Sequence, residues 1–195
     1  LMGIMDCAGH GVPGALMTML ARAAIDLAVS EMGPRDPAGI LTRTDSAIRA
    51  MLADAQLPRA LATNTDAALV YVDRENSRLI YAGAKISLYA SNGHDAREVQ
   101  GGRRALGERR RGEYQNVELP LLSGWTYYLA TDGFLDQAGG EFGFGFGNTR
   151  FAAMLKRHAR ESMADQAEAF AQALAEYQGG LPQRDDITLL SFRFD

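Results

Sequence analysis

Several residue types are scarce in this chain, and each scarcity closes off a class of function. There is one cysteine, Cys7, among 195 residues. An internal disulfide is therefore excluded, and a reducing, cytoplasmic setting is expected. The three histidines, His10, His94 and His158, are scattered and show no zinc-ligand spacing with Cys7, which argues against a tetrahedral zinc site. Positive charge is not in excess: the formal net charge is −4 and the sequence pI about 5.4, so no general case for nucleic acid arises. No uninterrupted apolar run approaches the roughly 20 residues that span a bilayer, so no membrane contact by this domain is expected, and no signal peptide is recognisable.

What is present is the composition of an ordinary globular domain, 47% hydrophobic and 23% charged. That length suits a single domain over 1–195 that buries roughly two-thirds of its extended surface. The chain opens at Leu1, already inside a strand-like run, and is expected to be the N-terminally incomplete part of a longer protein.

An apolar run ends at Asp6; the turn Cys7-Ala8-Gly9-His10-Gly11 follows, with His10 read as a hydrogen-bonding turn residue. Pro13 then opens a helix over about 12–32, with Leu16, Met19, Leu20, Ala23 and Leu27 as its apolar face. Gly33-Pro34 stops it. Asp36-Pro37 reads as cap and first residue of a second helix facing inward with Ile40, Leu41, Thr44, Ile48, Met51 and Leu52. After Pro58 the apolar period changes to 2, giving strands over 67–72, 78–82, 86–90 and 97–100. A hairpin is expected over 114–119 and 125–130 around Leu122-Ser123-Gly124. Next come a helix capped by Asn148 or Thr149, a last helix over 163–177 facing inward with Ala167, Phe170, Ala171 and Leu174, and a closing strand over 187–194.

Short turns require antiparallel pairing. Two helices, a block of strands, two helices and a strand predict an α+β fold, with strands enough for two packed sheets and helices outside.

Acids stand at three strand ends: Asp6, Asp132 and the pair Asp185-Asp186. Oxygen-only ligands on separate strands select hard cations such as Mg2+ or Mn2+, and two such ions suit hydrolysis at phosphorus. Asp6 is the best candidate to bridge the ions, with the Cys7 carbonyl completing a shell. Each acid taken singly also reads as a turn-former. The arginines 103, 104, 109, 110 and 111 read either as a solvated loop or as a phosphate-engaging one. The glycine-phenylalanine run 143–147 lacks the Lys-Ser/Thr of a phosphate-binding loop, which leaves a nucleotide-binding enzyme a distant third reading.

The motifs Asp6-Cys7-Ala8-Gly9-His10-Gly11-Val12-Pro13-Gly14-Ala15, Ala130-Thr131-Asp132-Gly133-Phe134 and Arg184-Asp185-Asp186-Ile187-Thr188-Leu189 together resemble one family. It is the metal-dependent (PPM, protein phosphatase 2C-like) serine/threonine phosphatases, in their bacterial SpoIIE and RsbU branch. Tyr81-Ala82-Gly83-Ala84 and Glu141-Phe142-Gly143 are similar to that branch as well. The tract 132–137 and the loop 142–146 are similar to SiaA-like members.

The resemblance implies an α-β-β-α sandwich of two mainly antiparallel sheets flanked by helices, holding two Mn2+ or Mg2+ ions. It also implies attack by metal-bound water on phosphoserine or phosphothreonine of a signalling protein, either an anti-sigma-factor antagonist or a SiaC-like partner. Asp6 matches the bridging ligand, Cys7 the carbonyl ligand, Asp132 an acid on the second ion and Asp185 the last acid. Asp186 stands in reserve, and Asp136 lies one helical turn beyond Asp132.

The chain departs from the pattern in three places. The upstream Gly-Gly-Asp acid has no counterpart within the sequence, Ala84 stands where many members have histidine, and no phosphate-binding arginine of the eukaryotic kind is identifiable. The competing reading is a degenerate phosphatase fold that sequesters a phosphorylated partner. The implied location is cytoplasmic, including as the cytoplasmic domain of a membrane-anchored sensor. Self-association as a homodimer is left open.

Overall fold

A computed structural model describes residues 1–9, 11–54 and 64–194. His10 and Pro58 lie outside the described residues. Backbone contacts divide the chain into two compact units, Leu1–Ile86 with Gln100–Pro120, and Ser87–Val99 with Leu121–Asp195.

The first unit carries a four-stranded sheet in the order β1 (Met2–Cys7), β2 (Thr65–Asp73), β3 (Arg78–Ala84), β6 (Val117–Pro120), antiparallel throughout. The β2–β3 turn is pinned by Asp73, which accepts from Asn76 and Arg78. Those two side-chain bonds, the Asn76 one foremost, hold its carboxyl below the usual carboxylate range.

Two helices, α1 (Gly11–Met32) and α2 (Pro37–Asp54), complete this unit. As expected, Asp36 caps α2: its carboxylate accepts from the Gly39 amide at 3.0 Å. Ile40, Leu41, Thr44 and Ile48 are fully buried beneath it. Each aliphatic side chain so buried contributes about 1.5–3 kcal/mol.

Helix α1 forms where expected but presents another face. Its buried residues are Gly14, Met17, Ala21, Ala24 and Ala28. Leu16, Met19 and Leu27 are exposed, at 53%, 70% and 42%, Ala23 is exposed as well, and Leu20 is only partly buried. The reason is close approach: a Cβ on Gly14 would stand 2.6 Å from the Gly9 carbonyl oxygen, and the alanines bring the backbone down onto the core. By length and composition α1 is also apolar enough to cross a membrane, a test that core helices and signal sequences pass too. The apolar run itself is interrupted by Arg22 and Asp26, which pair with each other at 2.7 Å within the helix.

The second unit has a sheet in the order β10 (Leu189–Arg193), β7 (Thr126–Ala130), β4 (Leu88–Ser91), β5 (Ala96–Val99), again antiparallel. It also holds the short helix α3 (Asp132–Asp136), a two-stranded ribbon of β8 (Ala138–Gly139) with β9 (Phe144–Gly145), and helices α4 (Gly147–His158) and α5 (Met163–Gln178). Its core includes Tyr128, Phe134, Phe151, Leu155 and Phe170.

The expected hairpin over 114–119 and 125–130 does not form. Its first strand, β6, pairs with β3 in the first unit, and its second, β7, lies between β10 and β4. Leu122-Ser123-Gly124 is thus a crossing point rather than a hairpin turn. Asn148 and Thr149 do not cap α4 either. They fall inside it, and Phe146 precedes the helix without a side-chain cap. On α5 the buried polar residue Gln166 replaces Ala167 and Ala171 on the inner face. Its amide oxygen accepts from the Tyr128 hydroxyl at 2.9 Å, and its nitrogen donates to the Glu161 and Ala159 carbonyls at 3.0 and 3.3 Å. A fully satisfied buried amide fills the place that hydrophobic patterning assigned to alanine. The fold class is α+β, as expected from the order of elements.

Candidate functional site

Asp6 is the penultimate residue of β1, half-buried, and its register partner across the strand pair is Asp66; Cys7 pairs with Thr65. The Thr65 hydroxyl lies 3.6 Å from the Cys7 sulfur, and the Ala8 amide donates to the Asn64 carbonyl at 2.9 Å. Like charges facing each other across a strand pair repel. Lys85 offsets this, its ammonium standing 3.3 Å from the Asp66 carboxylate. Lys85 itself follows β3 in a left-handed backbone conformation, φ 70°.

Sequence reading missed Asp66 and Lys85. The expected strand began one residue after Asp66, and only the pairing Met2↔Val70 through Cys7↔Thr65 shows which residue faces Asp6.

In the second unit the segments that carry Asp132 and Asp185-Asp186 lie side by side, next to the paired strands β7 and β10. The Thr131 amide donates to the Thr188 carbonyl at 3.0 Å, and the Thr188 amide to the Thr131 hydroxyl oxygen at 3.0 Å. The same hydroxyl donates to the Asp186 carbonyl at 3.2 Å. A side chain on Gly133 would collide with that Asp186 carbonyl and stand 3.3 Å from the Asp185 Cβ. Asp185 accepts from the Asp186 amide at 2.8 Å. All three acids are exposed. Asp136 ends α3, also exposed.

Among the described residues no ion pair engages Asp132, Asp185 or Asp186. Exposed carboxylates without a countercharge at the ends of paired strands are the donor chemistry that a hard cation meets. The residues therefore fit a magnesium- or manganese-type ion in kind. Among the described residues no three His, Cys, Asp or Glu side chains are grouped as a ready chelate. Asp6 and Cys7 belong to the first unit, and Asp132, Asp185 and Asp186 to the second.

The chain belongs to the SpoIIE family: the model of Stage II sporulation protein E (SpoIIE) matches residues 1–195. It is a metal-dependent protein serine/threonine phosphatase of the protein phosphatase 2C-like type. A search of the curated proteins gave no match.

Among solved structures, the chain is 65% identical to the SiaA-PP2C domain of Pseudomonas aeruginosa, with a TM-score of 0.92, covering 99% of this chain and 75% of that one. The phosphatase domain and regulatory fragment of SpoIIE from Bacillus subtilis is 13% identical, with a TM-score of 0.70, covering 98% of this chain and 53% of that one. RsbX, solved in complex with magnesium, is 14% identical, with a TM-score of 0.61, covering 97% of this chain and 78% of that one. The last two show the fold alone.

Proposed function

We propose that the chain removes phosphate from phosphoserine or phosphothreonine of a signalling protein, of the anti-sigma-factor-antagonist or SiaC-like kind. The observation that carries this is the 65% identity to a SiaA phosphatase domain over 99% of the chain. The metal-holding set proposed is Asp6 with the Cys7 carbonyl, Asp132 and Asp185, with Asp186 as the alternative to Asp185. Two Mg2+ or Mn2+ ions are the proposed complement. Such ions neutralise phosphate charge and acidify a water molecule near neutral pH.

The chain's own residues supply placement. Asp6 is fixed by the β1–β2 ladder, with Asp66 and Lys85 beside it. Asp132 and Asp185 are held by the Thr131–Thr188 and Gly133–Asp186 contacts. A cytoplasmic location is part of this proposal, supported by the lone cysteine, Cys7.

The test is phosphate release from a phosphoserine protein by the full-length protein, with and without Mn2+ or Mg2+. Release is expected only with metal, and Asp6→Ala or Asp132→Ala should lower kcat about a hundredfold or more with the fold retained. Undiminished turnover in either variant overturns the assignment. Capture of the phosphoprotein without phosphate release, with metal present, means a sequestering module instead.

A further inference from the structure

Five arginines, 103, 104, 109, 110 and 111, fall within nine positions that contain one acid, Glu108, in a chain whose net charge is −4. The segment that carries them forms no strand, yet its backbone is fixed at several points. Gly102 donates to the Gly83 carbonyl and accepts from the Lys85 amide, both at 2.7 Å. Leu106 and Thr65 exchange backbone hydrogen bonds at 2.8 and 2.9 Å. The Gly107 amide donates to the buried Asp45 carboxylate at 2.7 Å, and Ala105 and Leu106 are fully buried.

These anchors are not spread over the unit. Thr65 is the strand partner of Cys7, and Asp66, next to it, is the partner of Asp6. The arginine loop is thus stitched to the end of the sheet where Asp6 stands.

Arg104 is paired with Glu108 at 3.5 Å. Among the described residues no hydrogen bond, ion pair or ring contact engages Arg103, Arg109, Arg110 or Arg111, and all four are exposed. Crowding uncompensated guanidinium groups on a pinned loop raises their mutual repulsion, and an anionic ligand relieves it. The planar fork of arginine matches carboxylate and phosphate oxygens in pairs. The overall charge of −4 gives no general electrostatic case for nucleic acid.

We propose that the loop 101–112 is a docking surface for an acidic segment of the phosphoprotein substrate, one whose carboxylates flank the phosphorylated residue. This rests on the phosphatase reading above and names what that site selects.

The test compares the full-length protein with its Arg109→Glu/Arg110→Glu/Arg111→Glu variant on two substrates with Mn2+: a glutamate-flanked phosphoserine peptide and p-nitrophenyl phosphate. For the peptide, KM is expected to rise about tenfold with kcat held, while p-nitrophenyl phosphate turnover stays unchanged. Raising the ionic strength should erase most of the difference. The matching glutamine triple variant should show a smaller KM rise.

An unchanged peptide KM overturns the proposal, as does an equal loss on both substrates. Unaltered peptide kinetics with lost binding to anionic vesicles or RNA would overturn it in favour of those surfaces. Metal-free binding of the labelled peptide, followed by fluorescence anisotropy, keeps the two readings apart. If neither substrate is hydrolysed by the unaltered full-length protein, the phosphatase reading fails. The anisotropy ratio between chain and variant, expected near tenfold, still decides the loop.

Discussion

Gly133 has no room for a side chain. A Cβ there would run into the Asp186 carbonyl and press on Asp185, so the position couples the start of α3 to the acid pair before β10. Gly133→Ala is expected to cost about 1–3 kcal/mol through overpacking, and to shift Asp185 enough to reduce phosphate release. Gly180→Ala is the control, since nothing stands within 4 Å of a Cβ there. Urea melts of both variants, read beside turnover, check this: a Gly133→Ala protein as stable as Gly180→Ala would refute the close approach. At this scale the sequence was partly legible. That Asp132 and Asp185 stand beside strands followed from two apolar runs, each bounded by an acid; that those strands are neighbours did not. Asp66 and Lys85 were not legible, because what places them is strand register, and the partner of β1 lies nearly sixty residues away.

Among the elements, α1 separates helix-forming pattern from helix orientation. Two apolar stripes satisfy the 3.6 period, one through Leu16, Met19, Ala23 and Leu27, the other through Gly14, Met17, Ala21, Ala24 and Ala28. Patterning chose the bulkier stripe; packing chose the smaller one, which lets the helix backbone come close to the core. Leu16→Lys/Met19→Lys is therefore expected to change stability by no more than about 0.5 kcal/mol. Met17→Ala, at 1% exposure, is expected to cost about 2–5 kcal/mol. Denaturation midpoints at low protein concentration decide it, and the reverse ranking would restore the bulkier face to the core. The β6–β7 hairpin failed for a similar reason. Two extended runs around a glycine turn imply adjacency only if both join one sheet, and here β3 and β4 claim them separately.

Across the whole molecule, buried phenols set an alkaline limit in both units. Tyr114, in the first, is pushed above the ordinary phenol range mainly by burial, with the nearby Asp45 carboxylate adding to it. In the second, burial raises Tyr89 to about 12, helped by the Glu98 charge, and burial likewise raises Tyr128 to about 12. An unfolded chain loses these protons near pH 10. Between pH 10 and about 12 the folded protein keeps protons that the unfolded chain has released, so stability falls as pH rises. Below pH 10 both states hold them and the contribution is complete. Urea midpoints are expected to stay level up to about pH 9 and then drop steadily towards pH 12, with phenolate absorbance lagging behind the pH while the helical circular dichroism stays native. Full ionisation of all seven tyrosines by about pH 11 in a protein with native dichroism would show that these phenols are not held in the core. Tyr128→Phe sharpens the measurement, since it removes one raised phenol and leaves the Gln166 amide oxygen without its donor. That variant should be less stable at neutral pH by about 1–3 kcal/mol, yet lose stability less steeply above pH 10.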